Sequence, residues 1–121
     1  MKKIKVAVIG VGYLGEFHAD KYHANKSVDL IGVVDLDRKR RDAISKKLNI
    51  SSFSDYTKVL DDVDAVSIAV PTDLHFKIGK FFIENGKHVL MEKPFTKNLS
   101  EAIKLENIAK KKGCSTSNRS Y

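Results

Sequence analysis

A short apolar run followed by three glycines is the feature that most restricts the fold of this chain. Residues 6–9 read Val-Ala-Val-Ile, without polar alternation, and predict a strand buried on both faces. Gly10, Gly12 and Gly15 follow with the spacing G-x-G-x-x-G. After a strand, such glycines allow a tight turn, close approach of a pyrophosphate and tight helix packing. Since glycines also gather in ordinary turns, the motif indicates dinucleotide binding only with a helix after it and an acidic residue about 20 positions on.

The next residues meet both conditions. Residues 14–22 carry Leu, Phe, His and Tyr at helical spacing, which predicts an amphipathic helix ending near Asn25, with the His and Tyr on its packing face. A second apolar run over residues 28–34 ends on Asp35, about 20 positions after Gly15. This pattern predicts that the helix start holds the phosphates of a bound dinucleotide, because its free N–H groups carry partial positive charge.

Asp35 is the candidate that decides the type of dinucleotide. A carboxylate at this position accepts hydrogen bonds from the adenosine ribose hydroxyls and repels the 2′-phosphate of NADP, which favours NAD as cofactor. Asp35 could instead cap the next helix, but Asp37 can also do that. The basic residues 38–41 keep NADP possible, since a guanidinium there could bind the 2′-phosphate.

The remaining chain alternates strand and helix patterns. Strands are predicted at 51–53, 65–70 and 88–91, and helices at 38–48, at 55–60 after a cap by Asp55, from Asp73 to Gly86, and from Ser100 to Gly113. This alternation predicts an α/β fold, a doubly wound parallel sheet of about five strands in the order 3-2-1-4-5 with helices on both faces. Its ligand crevice lies between strands 1 and 4. Residues 1–113 are predicted to form this Rossmann domain and residues 114–121 a polar, disordered tail where a sixth strand would begin.

Composition limits the other classes of function. The chain has 121 residues, 42% hydrophobic and 31% charged, as in a single globular domain. The single cysteine, Cys114, and the absence of a long apolar run or leader predict a cytoplasmic protein with no membrane partner. The net charge of +7 raises nucleic-acid binding as a possibility. No aromatic residues interleave with the basic runs 38–41 and 110–112, so we interpret them as solvated helix faces.

Residues 71–75 (Pro-Thr-Asp-Leu-His) follow the fourth predicted strand, on the far side of the crevice. The Thr72 hydroxyl and the nearby backbone are expected to face the pyrophosphate or the nicotinamide half. Thr72 and Asp73 could equally cap the next helix, and His75 could be an ordinary surface residue.

Glu92-Lys93-Pro94 follows the fifth predicted strand at its carboxyl end. A lysine there could hold a substrate hydroxyl or polarise a carbonyl during hydride transfer, although a lysine after a strand is usually solvated. The histidines show no metal-ligand spacing, so no metal site is predicted.

Taken together, residues 7–15, 70–75 and 89–94 resemble the N-terminal domain of the Gfo/Idh/MocA oxidoreductases. The resemblance covers about residues 3–113. It implies a dinucleotide site at Gly10, Gly12, Tyr13, Leu14 and Asp35, together with Gly15 of the glycine motif. It also implies that Pro71, Thr72 and His75 lie along the nicotinamide half, and that Glu92 and Lys93 lie beside the nicotinamide. Lys93 corresponds to the lysine usually assigned to substrate binding or catalysis.

The family's activity is oxidation or reduction of sugars, cyclitols and related hydroxyl compounds. Its members continue into a second α/β domain that supplies the substrate pocket, so we expect a truncated chain that binds NAD(P) with little or no activity alone. Lys93 would then act only in an intact parent. Alternatives are a regulatory module that senses NAD(H) and forms a dimer, or an inert remnant. Without a sixth strand, residues 88–91 would expose an apolar edge, which predicts self-association.

Overall fold

A computed structural model describes residues 3–71, 74–92, 99–113 and 116–119. The strands are β1 (Ile4–Ile9), β2 (Val28–Val34), β3 (Ser51–Phe53), β4 (Ala65–Ile68), β5 (His88–Glu92) and β6 (Thr116–Arg119). The helices are α1 (Tyr13–Ala24), α2 (Arg38–Leu48), α3 (His75–Glu84) and α4 (Leu99–Lys112), with a 3₁₀ helix at Tyr56–Asp62. In the described residues, no helix combines the length and apolar character needed to cross a bilayer.

All neighbouring strands are parallel, in the order β3-β2-β1-β4-β5-β6. The predicted α/β doubly wound fold and the order 3-2-1-4-5 are therefore confirmed. The chain reverses its direction of travel across the sheet between β1 and β4, so their carboxyl ends border the crevice where doubly wound folds bind ligands.

The central strand β1 contributes to the core on both faces of the sheet. Ala7 and Ile9 belong to an apolar cluster with Phe82 of α3 and Leu105 of α4. Val8, which points to the opposite face, packs in a second cluster with α1 and α2. Residues 6–9 are at most 3% exposed, as their unbroken apolar run predicts.

Most of the residues predicted to begin or end a helix do so in the structure. Asp37 accepts hydrogen bonds from two backbone N–H groups in the first turn of α2, and Asp55 accepts one at the start of the 3₁₀ helix. Gly86 adopts a φ of 79° after α3, the conformation expected of a residue that ends a helix. Ser100 was expected to cap the last helix; that prediction is wrong, since α4 begins at Leu99 and Ser100 is its second residue.

The expectation that the polar tail lacks a strand is wrong. Residues 116–119 form β6, which pairs in parallel with residues 89–92 of β5. Pairing at a sheet edge uses backbone N–H and C=O groups, so it does not require the apolar alternation that these residues lack. The edge of β5 is thus covered within the chain, which removes the basis for self-association through it. The domain boundary predicted at residue 113 is not tested further, and Cys114 lies outside the described residues.

Candidate functional site

The glycine loop between β1 and α1 is held against the end of β4. Gly10 has a φ of 94°, and a Cβ atom placed on it would lie 3.0 Å from both the carbonyl carbon of Ala69 and Cγ1 of Val70. A Cβ on Gly15 would lie 1.8 Å from the carbonyl oxygen of Gly10. These two glycines are therefore required by the backbone conformation and by the close packing of α1 on the loop.

Gly12 differs from the other two, because its surroundings leave room. Its φ of −69° is ordinary, and a Cβ there would meet only Nη1 of Arg40, at 3.5 Å. Gly12 is the N-cap of α1, and no side chain of the described residues caps that helix. The first N–H groups of α1 thus lack a side-chain acceptor at a place that an anionic group can approach.

Asp35 links the two loops that border the crevice. Its Oδ2 accepts a hydrogen bond from the backbone N–H of Val11 in the glycine loop, at 2.8 Å. Its Oδ1 accepts one from the backbone N–H of Asp37, also at 2.8 Å. Because Asp37 caps α2, the alternative role of Asp35 as that cap is not observed. Each carboxylate oxygen has a second lone pair, so Asp35 can still accept hydrogen bonds from a ligand.

A cavity of about 600 Å³ lies beside these loops at the carboxyl ends of β1, β2 and β4. Of the predicted site residues, Gly10, Gly12, Asp35 and Pro71 line it. Apolar side chains from the start of α3 and from the end of β4 form much of its wall: Val70, Leu74 and Ile78. Its volume falls within the usual range for ligand sites, about 300–1,000 Å³.

A second cavity of about 940 Å³ lies at the opposite end of the sheet, lined by residues 28–31 and 49–51 among others. It contains none of the predicted site residues. Doubly wound folds bind their ligands at the carboxyl ends of the strands, so the cavity at the glycine loop is the candidate site.

The other predicted residues that the structure describes do not line that cavity: Tyr13, Leu14, Gly15, His75 and Glu92. Tyr13, the first residue of α1, is 93% exposed, and Leu14 is half-buried. His75 is 3% exposed, and its Nε2 donates a hydrogen bond to the carbonyl oxygen of Val70, at 2.8 Å. The His75 side chain therefore holds the turn that forms the cavity wall. A contact between these residues and a cofactor stays a prediction.

The predicted catalytic end of the site is described only by its backbone. Glu92 is the last residue of β5 and is paired with Arg119 of β6, which puts it at the carboxyl edge of the sheet. Thr72, Asp73 and Lys93 lie outside the described residues. Their roles stay predictions.

Two features of the cavity were not assigned from the sequence. Arg40 lines it from the first turn of α2, whereas the sequence indicated only that the basic run 38–41 contained a candidate. Leu36, directly after Asp35, also lines it and is 89% exposed. An exposed leucine beside the cavity adds apolar surface that a ligand can cover.

Asp55 is an acidic residue of the cavity lining with two hydrogen-bond donors beside it. Its carboxyl accepts hydrogen bonds from the backbone N–H and from the hydroxyl of Thr57, in that order of effect, and they hold the pKa of the carboxyl below its usual range. Asp55, which lines the cavity, is therefore ionised at neutral pH. The described residues contain no cluster of His, Cys, Asp and Glu that could hold a metal ion.

The sequence profile of a known protein family matches the part of the chain that contains the sheet, the helices and the cavity. The profile of the Gfo/Idh/MocA oxidoreductase family, an NAD-binding Rossmann fold, matches residues 4–119. The chain belongs to this family. The predicted resemblance is thus confirmed, and the chain is an NAD-binding Rossmann domain of these oxidoreductases.

Relatives in the Gfo/Idh/MocA family include dehydrogenases of several compounds. A UDP-N-acetylglucosamine 3-dehydrogenase from Acidithiobacillus ferrooxidans is 39% identical over 93% of this chain and 35% of its own length. Its solved structure superposes with a TM-score of 0.91, at 37% identity, over 98% of this chain and 38% of that one. A scyllo-inositol 2-dehydrogenase (NAD(+)) from Bacillus subtilis is 35% identical over 83% of this chain and 30% of its own length.

A third relative was solved with its cofactor. The structure of GenD2, from gentamicin A biosynthesis, in complex with NAD superposes with a TM-score of 0.93, at 29% identity, over 98% of this chain and 34% of that one. Across these three relatives, the chain spans about a third of their length.

Proposed function

We propose that this chain holds the NAD(H) of a dehydrogenase that acts on a hydroxyl group of a sugar-like or cyclitol compound. The observation that carries the proposal is the glycine loop, in which Gly12 and the uncapped start of α1 border the cavity that contains Asp35. The printed names of the relatives, which act on a nucleotide sugar and an inositol, support this substrate class.

The described residues fit a dinucleotide at each of three positions. The start of α1 offers backbone donors to the pyrophosphate, and the absence of a side chain at Gly12 lets it approach. The free lone pairs of Asp35 accept hydrogen bonds from the ribose hydroxyls. The apolar side chains of Leu36 and Leu74 give the adenine a surface on which to pack.

The chemistry is assigned by resemblance to the end of β5. When bound, the nicotinamide supplies a hydride acceptor or donor for a carbon that bears a hydroxyl or carbonyl group. Lys93, in the predicted role, holds the oxygen on that carbon, and Glu92 lies beside it. We expect the chain to bind the cofactor.

Calorimetric titration with NADH tests cofactor binding directly. We expect the wild-type chain to bind in the micromolar range or more weakly. Gly12→Ala should keep the fold, since its Cβ meets only Arg40, but should weaken NADH binding at least about tenfold by holding the pyrophosphate away from the backbone. Circular dichroism checks that the variant is folded. Absence of NADH binding by the wild-type chain would reject the proposal, and equal binding by Gly12→Ala would reject the assigned phosphate position.

A further inference from the structure

Arg41 of α2 holds the turn that follows β2. Nη1 of its guanidinium donates hydrogen bonds to the backbone carbonyl oxygens of Asp35 and Leu36, at 3.2 and 3.4 Å. Since Nη1 has two hydrogens, it can donate to both oxygens at once. Among the residues that the structure describes, no backbone N–H group donates to either of these oxygens. The orientation of the two peptide groups therefore depends on Arg41.

The other arginines at the start of α2 are placed differently. Nε of Arg38 lies 3.5 Å from Oδ2 of Asp42, and Nε of Arg40 lies 3.7 Å from Oδ2 of Asp37. The two arginine side chains are 83% and 61% exposed, and such solvated ion pairs contribute little to stability. Arg41 is half-buried instead, and within the described ranges its guanidinium is bound to carbonyl oxygens. Arg41 is therefore the arginine that is placed to fix the turn.

The turn that Arg41 contacts also holds the glycine loop. The carboxylate of Asp35 accepts hydrogen bonds from the backbone N–H groups of Val11 and Asp37, each at 2.8 Å. The backbone N–H of Asp35 donates to the carbonyl oxygen of Phe53, at 3.1 Å. The side chain of Asp35 thus begins at the residue whose own carbonyl group Arg41 holds. A rotation of that peptide group would move the carboxylate and, through Val11, the loop.

The direction of the Asp35 carboxylate matters for ligand binding. Asp35 and Leu36 both line the cavity beside the glycine loop. In the proposed function, the remaining lone pairs of Asp35 accept hydrogen bonds from the ribose hydroxyls. Hydrogen bonds weaken steeply when their angle falls below about 120°, so the carboxylate must be well oriented. A turn that is already fixed before the ligand arrives also lowers the entropic cost of binding.

We propose that Arg41 is a positioning residue of the dinucleotide site, which holds the turn after β2 so that the Asp35 carboxylate points at the adenosine ribose. The inference rests on the proposed binding of NAD(H) and deepens it. In this role Arg41 does not contact the ligand and acts through the peptide group of Asp35. Its removal should therefore weaken the interaction with the ribose more than the interaction with the pyrophosphate.

Titrations with NADH and with an NADH analogue that lacks the 2′-hydroxyl of the adenosine ribose test the proposal. The wild-type chain should bind the analogue at least about tenfold more weakly, because a hydrogen bond to a charged group is lost. Arg41→Met keeps an unbranched side chain but removes its donors. It should weaken NADH binding about tenfold and binding of the analogue about threefold or less, because the analogue depends less on Asp35.

Two further variants control for charge and folding. Loss of a positive charge affects both anionic ligands equally, so the difference between their losses isolates the ribose contact. Arg38→Met is the matched control, because Arg38 lies in the same helical turn and is 83% exposed, and it should change the binding of neither ligand at about 0.15 M salt. Arg41→Lys keeps a charged donor and should retain more NADH affinity than Arg41→Met. It also decides the question if circular dichroism shows that Arg41→Met does not fold.

The other outcomes separate this inference from the proposed function. Equal weakening of both ligands by folded Arg41 variants, or weakening of neither, would overturn the inference and leave the proposed function intact. Equal binding of the two ligands by the wild type would do the same, because Asp35 would then make no contact with the 2′-hydroxyl. If the wild type binds neither ligand, the proposed function itself fails.

Discussion

Replacing Gly15 by alanine tests the packing that shapes the glycine loop. The new Cβ would lie 1.8 Å from the carbonyl oxygen and 2.7 Å from the carbonyl carbon of Gly10. Favourable contacts between non-bonded heavy atoms begin at about 3.5 Å. The atoms that clash belong to the backbone, so no change of side-chain rotamer relieves the contact and either α1 or the loop must move.

The expected cost is large for a single methyl group. Overpacking in a core costs about 1–3 kcal/mol, and a forced backbone shift brings the cost to the upper end or beyond. We expect Gly15→Ala to lower the free energy of unfolding by about 3 kcal/mol or more. For a chain of this size, each kcal/mol shifts Tm by about 3–6 °C, so the Tm should fall by about 10 °C or more.

Urea unfolding followed by circular dichroism measures this effect, with Gly12→Ala as the matched control. Gly12 has an ordinary φ of −69° and room for a Cβ. Alanine is a poorer N-cap than glycine, which destabilises the folded chain, but it also lowers the entropy of the unfolded chain, which stabilises the fold. Because these effects nearly cancel, we expect Gly12→Ala to change the free energy of unfolding by no more than about 1 kcal/mol. A Gly15→Ala variant as stable as the wild type would refute the close packing of α1 on the loop. Equal destabilisation by both variants would show that the two glycines do not differ as described.

Two further predictions concern side chains near the site. The pKa of Asp55 is lowered in the folded chain by the donors of Thr57, so its stabilising effect is present above the unfolded pKa of about 4 and is lost as pH falls below it. The difference in Tm between the wild type and Asp55→Ala should therefore be constant from pH 7 to about 5 and should narrow below pH 4; a constant difference down to pH 2.5 would contradict this. Ser67→Ala removes a hydroxyl that lies 3.0 Å from Nδ1 of the buried His18, and should lower the free energy of unfolding by about 1–3 kcal/mol in urea. The exposed Ser51→Ala is its control, and equal, small effects of both would show that the buried contact does not contribute.

The sheet order and the glycine loop could be predicted because each depends on local patterns. The apolar run of β1 ends at Gly10, and β2 ends beside Asp35, so the positions of the glycine loop and of this acidic residue follow from the periods of strand and helix. The alternation of these elements then restricts the topology to few choices, since parallel crossovers are right-handed.

The errors arise where long-range pairing outweighs local pattern. Thr116–Arg119 lack the apolar alternation of a strand, yet the backbone of β5 provides partners for them. For His75, only the surface alternative is wrong, because its ring is buried and donates to the carbonyl oxygen of Val70, a contact that no spacing in the sequence indicates.

The position of Arg40 in the cavity lining shows a further limit of sequence reasoning. Four adjacent basic residues cannot be ranked by type. Their directions depend on the phase of α2 and on the partners that hold Arg41 and Arg38 elsewhere.

The two hydrogen bonds of Asp35 also bear on how such a site can evolve or be redesigned. In many dinucleotide enzymes, exchanging the acid after β2 is the direct route from NAD to NADP. Here that exchange would also release Val11 of the glycine loop and Asp37 of the next turn. Substitutions at neighbouring positions would therefore change cofactor preference at a lower cost in stability. Asp35 would be retained because its carboxylate connects the glycine loop to the turn before α2.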